Sequence, residues 1–156
     1  EYHRILKTGT TDAALTWFNV GEYKSVANTV GNIRTATPKQ VPIRMKALLS
    51  RWNQKPSHTL EELADFHYHF ETIHPFQDGN GRVGRMILFK ECLAHGLTPF
   101  VILDADKMFY YRGLHEYENM PGCLIGTFQV SQDFYQELCE ELLPSHEAEP
   151  EEDMEL

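Results

Sequence analysis

The chain has 156 residues, 42% of them hydrophobic and 12% aromatic, with a formal net charge of −9. That length suits one domain burying about 70% of its unfolded-chain surface, and the acidic balance argues against a nucleic-acid partner, because phosphate neutralisation needs a basic face. No apolar run approaches the roughly 20 residues of a membrane span, nothing at the start reads as a signal peptide, and Cys92, Cys123 and Cys139 are widely spaced thiols of the kind kept reduced in the cytoplasm.

The chain opens at Glu1 rather than methionine, which reads as a processed or trimmed piece. Between Gly21 and Ala36, "GEYKSVANTVGNIRTA" mixes β-branched and polar residues around Gly31, the pattern of a short hairpin or flap. "TPKQVPIRMKALLSRWN" then predicts a helix with Thr37 as N-cap and Pro38 at its first position, its apolar stripe formed by Val41, Met45, Leu48, Leu49 and Trp52. "HTLEELADFHYHFETI" opens on a capping box, Thr59 with Glu62, and repeats Leu60, Leu63, Phe66, His67, Phe70 and Ile73 at helical spacing. A second long helix is expected from near Asn80 to Ala94, stopped by Gly96. "DADKMFYYRGLHEYEN" predicts another, capped by Asp104 or Asp106, and "LIGTFQVSQDFYQELCEELL" a last one ended by Pro144. "EAEPEEDMEL" is acidic and has no apolar stripe, so residues 145–156 read as a solvated tail. Residues 1–144 read as one compact all-α domain with a small β-hairpin flap.

Between the two long helices lies "ETIHPFQDGNGRVGR", Glu71 to Arg85. Gly79 to Gly84 formally matches GxGxxG, but a dinucleotide fingerprint must follow a strand, and here a helix precedes it. A Walker loop would need GK[ST], and an EF-hand counted from Asp78 would place Arg82 and Phe89 where acceptors belong. His67, His69 and His74 do not read as a zinc site, because residues two apart on a helix point away from each other. His67 reads as a core histidine and His69 as a surface one.

An anion site accounts for the whole stretch. Unpaired N–H groups of Gly79, Asn80 and Gly81 at a helix start favour phosphate, and glycines let a phosphate chain approach. Arg82 and Arg85 share one helix face and can fork onto two phosphates. Asp78 is a hard oxygen ligand suited to Mg²⁺, and His74 is placed to take a proton from an incoming hydroxyl. Glycine and asparagine serving turn geometry alone would explain Gly79 and Asn80 but not the charged residues around them.

"HPFQDGNGR", His74 to Arg82, resembles the signature of the Fic family, HPFx[DE]GN[GK]R, matching at every specified position and extended to Arg85. The resemblance runs over roughly residues 20 to 117, from the flap to "YYRGL". It implies a Fic-type helical bundle and a protein adenylyltransferase that moves AMP from ATP to a Ser, Thr or Tyr hydroxyl of a target protein, releasing pyrophosphate. Carried over, it makes His74 the base and Asp78 the Mg²⁺ ligand. Gly79, Asn80 and Gly81 become the anion hole, with Gly84 in the same nucleotide-binding stretch. Arg82 and Arg85 become contacts to the β- and γ-phosphates, Phe76 an inward anchor of the loop, and Tyr111 of the Tyr110–Tyr111 pair a wall of the nucleoside pocket. The flap around Thr29, Val30 and Gly31 would align a target segment by strand pairing. Relatives that phosphorylate carry lysine where this chain has Gly81, so glycine favours AMP transfer.

The inhibitory motif [ST]xxxE[GN] of many relatives has no match: Ser57 to Glu61 is followed by Glu62, and Ser145 to Glu149 by Pro150. The expectation is either a truncated N-terminal inhibitory helix or a separate inhibitory protein. Transfer of another phosphate-containing group, removal of AMP, and a non-catalytic nucleotide-binding module are the alternative readings.

Overall fold

The computed structural model of the chain describes residues 1–31 and 33–143, without the side chain of Ile33. Among the described residues six helices carry the fold: α1 Tyr2–Lys7, α2 Val41–Trp52, α3 Leu60–Ile73, α4 Asn80–Ala94, α5 Lys107–Glu116 and α6 Pro121–Leu142. The strands β1 Thr29–Val30 and β2 Ile33–Arg34 pair antiparallel, Thr29 opposite Arg34 and Val30 opposite Ile33, to form the expected flap. No helix among the described residues is long and apolar enough to cross a membrane.

α3 is the central element, because its apolar residues face two clusters. Leu60, Leu63 and Ala64 pack with Leu88, Cys92, Phe100, Tyr110, Leu124 and Phe128. Phe66, Phe70 and Ile73 pack instead with Ala36, Val41, Met45, Leu48 and Val83. Full burial of each large side chain is worth about 1.5–3 kcal/mol, which holds α2, α4 and α6 against α3. Its start is fixed locally. Thr59 Oγ1 accepts from Glu62 N and Glu62 Oε2 accepts from Thr59 N, both at 3.3 Å. A cap of this kind contributes about 1 kcal/mol.

Two helix starts differ from the sequence reading. Thr37 is not an N-cap: α2 begins one turn later, with Gln40 as N-cap. Gln40 Oε1 accepts from Thr37 N at 2.9 Å, and Gln40 N donates to Thr37 O at 2.8 Å, closing a separate turn. A helix begun at Pro38 would need a hydrogen bond from position 42, where proline has no N–H. The last helix starts earlier than the apolar run at Leu124, with Pro121 in its first turn, where a missing N–H costs nothing. Asp104–Asp106 forms a single 3-10 turn leading into α5, and Asp106 is the N-cap without a side-chain bond. Pro144 and the acidic tail lie outside the described residues.

Candidate active site

The turn from α3 to α4 is held by side chains that the chain spends on its own backbone. Asn80, 1% exposed, donates from Nδ2 to Phe76 O at 2.8 Å and accepts at Oδ1 from Phe76 N at 2.7 Å. Its side chain therefore staples the loop, and only its backbone can serve an anion. Gly79 is the N-cap of α4 with φ +80, a left-handed conformation costly to other residues, and Leu6 lies 3.1 Å from where its Cβ would stand. His74 is itself left-handed, φ 51 and ψ 63, at the C-cap of α3.

The flap is bolted to the same turn. Lys24 N donates to Pro75 O at 2.9 Å, and Asn28 Nδ2 donates to Phe76 O at 3.1 Å and Gln77 O at 3.3 Å. Buried Lys24 donates from Nζ to Asn28 Oδ1 and Thr35 Oγ1, each at 2.7 Å, tying both sides of the hairpin together. Burial pulls its pKa down to about 8. Thr29 and Val30 are exposed on β1, and Gly31, φ +56, opens the hairpin turn.

The charged residues form two groups. In the first, Asp78 Oδ2 accepts from Lys7 Nζ at 2.5 Å and from Arg82 Nη2 at 3.1 Å. The hydrogen bond from Lys7 holds the Asp78 carboxyl below the ordinary carboxylate range, so it is ionised at neutral pH. α1 delivers Lys7 and also His3. His3 Nδ1 accepts from Gly21 N at 2.9 Å, which makes Nε2 the protonated nitrogen, donating to Asp78 O at 3.1 Å. The His3 ring stacks on Phe76 at 4.1 Å and 3°, so Phe76 is clamped inward between α1 and the core.

The second group surrounds Glu71. This carboxylate is nearly buried, with Oε2 4.0 Å from His74 Nδ1 and Oε1 4.0 Å from His67 Nε2. Those distances exceed a hydrogen bond, and both Glu71 Oε1 and His74 Nδ1 are buried without a partner among the described residues. Desolvation raises the Glu71 pKa to about 7, against the pull of the Arg85 charge. Desolvation, followed by the Lys24 charge, lowers that of His74. His67 is fully buried, pushed down to about 3 by burial, and bonded to Tyr110 OH at 2.8 Å.

Gly84 belongs to this group rather than to the loop. It is buried against α3, where an added Cβ would overlap Glu71 Oε1 and stand 3.0 Å from His67 Cε1, so glycine here permits close helix approach. A Cβ on Gly81 would lie 3.2 Å from Arg85 Nη1. Arg85 sits over the Tyr110 ring at 5.9 Å. Tyr110 is 2% exposed and Tyr111 49%, so Tyr110 is core and Tyr111 reaches the surface.

Glu71 carries a test of its own. Unfolded, it loses its proton near 4.5; folded, near 7. The folded chain thus has no penalty below pH 4.5 and loses stability as pH rises through 7. Glu71→Gln is expected to equal wild type near pH 4.5 and to exceed it by roughly 2–4 kcal/mol at pH 8, read by urea unfolding at both pH values. A constant difference would show that the carboxylate does not titrate between the two states.

The sequence motif groups His74, Asp78, the three loop residues and two arginines, and the structure places them on one turn and the first turns of α4. The motif does not include Lys7, His3, Lys24, Asn28 or Glu71, none of which stands in a local pattern that signals its partners.

Comparison with known proteins gives the chain its relatives. Protein adenylyltransferase fic-1 of Caenorhabditis elegans is 29% identical over 98 residues, covering 61% of this chain and 19% of the relative. Protein adenylyltransferase Fic of Nematostella vectensis is 32% identical over 100 residues, covering 62% and 23%. The chain therefore spans about a fifth of the length of these curated relatives. A crystal structure of a Fic family protein from Desulfovibrio desulfuricans G20 superposes with a TM-score of 0.66 at 26% identity, over 89% of this chain and 45% of that one. The profile of the Fic/DOC family matches residues 1–91, more than half of the sequence and the whole of the turn with its clamp and flap, and the chain belongs to that family.

Proposed function

We propose that the chain carries the catalytic centre of a protein adenylyltransferase, which moves AMP from ATP to a Ser, Thr or Tyr hydroxyl of a target protein and releases pyrophosphate. The observation that carries this reading is one turn presenting His74, ionised Asp78 and the amides of an α4 N-terminus with Arg82 and Arg85, beside an exposed strand edge. The two relatives named protein adenylyltransferases support the same reaction class.

His74 Nδ1 is buried toward Glu71, which leaves Nε2 for the incoming hydroxyl. The hydroxyl oxygen forms a bond to the α-phosphorus, the bond from that phosphorus to the β-bridging oxygen breaks, and the proton goes to His74. Because its pKa lies below the ordinary histidine value, His74 is neutral and able to accept it at pH 7. The α4 amides and the two arginines stabilise charge on the phosphate chain. Asp78 fits a hard divalent ion: it is ionised, its side chain is half-exposed, and it faces the phosphate-binding amides. Mg²⁺ held there would neutralise phosphate charge. Gly81 leaves the Arg85 guanidinium room beside the helix start, and the open β1 edge offers backbone groups to an extended target segment. The acidic surface and three free thiols fit a protein target in a reducing compartment such as the cytoplasm.

Incubation with Mg²⁺, a cell lysate and ATP labelled at either the α- or the γ-phosphate tests the proposal. Label is expected in protein from α-labelled ATP alone. Transfer from γ-labelled ATP would mean phosphorylation and would overturn the Gly81 argument, and loss of label from a pre-modified target without incorporation would point to AMP removal.

A further inference from the structure

Lys7 is the last residue of α1, and its side chain is only 3% exposed. A buried ammonium is costly unless it is paired. Here Nζ reaches two carboxylates from different segments, Asp12 Oδ2 at 2.6 Å and Asp78 Oδ2 at 2.5 Å, and stands 5.1 Å over the Phe18 ring. Its position is not accidental to a flexible stem, because His3 on the same helix bonds Asp78 O and stacks on Phe76. Lys7 and Arg82 together occupy the same oxygen of Asp78.

We propose that Lys7 is a resident counter-ion of Asp78 that competes with the divalent cation for its carboxylate and so sets the metal concentration at which the site fills. This rests on the reading of Asp78 as the metal ligand. A metal ion at Asp78 brings two positive charges close to the Lys7 ammonium and displaces or weakens its hydrogen bond. Asp12 makes the exchange feasible, since Lys7 can give up Asp78 and keep a carboxylate partner instead of being left bare. With little metal present, Lys7 keeps Asp78 neutralised and α1 closed on the loop.

The competition predicts opposite signs for two substitutions. Lys7→Met keeps the stem and removes the charge, and is expected to tighten metal binding by roughly three- to tenfold. Asp12→Asn, at a side chain 43% exposed, leaves Lys7 with Asp78 alone and is expected to weaken it by a similar factor. The probe is Mn²⁺, titrated into the chain with a non-hydrolysable ATP analogue and followed by water-proton relaxation, which needs no turnover. Circular dichroism reports folding, and if Lys7→Met does not fold, the direction of the Asp12→Asn shift decides. Asp78→Asn is the reference. If it loses Mn²⁺ while Lys7→Met is unchanged or weaker, competition is refuted and the metal assignment stands. If Asp78→Asn binds as wild type does, the metal assignment fails and the competition with it.

Discussion

His74→Ala is expected to lower AMP transfer by at least about 10²–10⁴-fold, the usual contribution of general-base help, while ATP affinity changes by less than about threefold. The imidazole is placed to act on the target hydroxyl, and the contacts to phosphate come from α4. Single-turnover transfer and calorimetric ATP titration measure the two quantities on the same variant. A large loss of ATP affinity with the fold intact would move His74 from the chemistry into the nucleotide pocket. In the wild type, burial and the Lys24 charge hold the His74 pKa below about 6.5, its ordinary value. The acid limb of the transfer rate should accordingly fall below that pH.

Asn80→Ala is expected to destabilise the chain by about 1.5–4 kcal/mol and to loosen the turn. Two hydrogen bonds of 2.7 and 2.8 Å would be lost, and both run to the backbone of a single residue, Phe76. Phe76 N is left without a partner, at about 1–3 kcal/mol, and Phe76 O loses one of its two donors but keeps Asn28 Nδ2, at about 0.5–1.5 kcal/mol. Asn80→Asp should also destabilise the chain, because a carboxylate still accepts from Phe76 N but sets a charged oxygen against Phe76 O at a site 1% exposed. Chemical unfolding measures the loss, and amide exchange at Phe76 locates it. A change below about 1 kcal/mol with Phe76 still protected would show that the flap and α1 hold the loop without Asn80.

Much of the architecture was legible because it is local. The Thr59–Glu62 box and the spacing from Leu60 to Ile73 place α3 within one residue, since both signals lie inside the helix they define. The start of α4 at Asn80 was legible for the same reason: glycines before it and an apolar repeat after it are adjacent in the chain. Thr37 misled because its hydroxyl makes a good cap in isolation. Gln40, three residues on, takes the Thr37 N–H and lets the helix begin where Pro42 needs no partner. α1 was illegible, since six residues are too few to show a period.

The sequence alone determined the identity and order of the groups from His74 to Arg85, because they stand next to one another on one turn and the first turns of the helix that follows it. Tertiary structure decided which of them are paired and with what. A lysine is ordinarily a surface residue, and nothing beside Lys7 announces that Asp78 will be its partner. The same holds for His3, bonded to Asp78 across 75 positions, and for Asn28, which joins the flap to Phe76 across 48. Glu71, on a helix face shared with His74, looks like a solvated acid until α4 closes over it at Gly84 and removes its water. Local order follows from neighbours along the chain, but desolvation and ion pairing depend on segments that meet only when the helices pack.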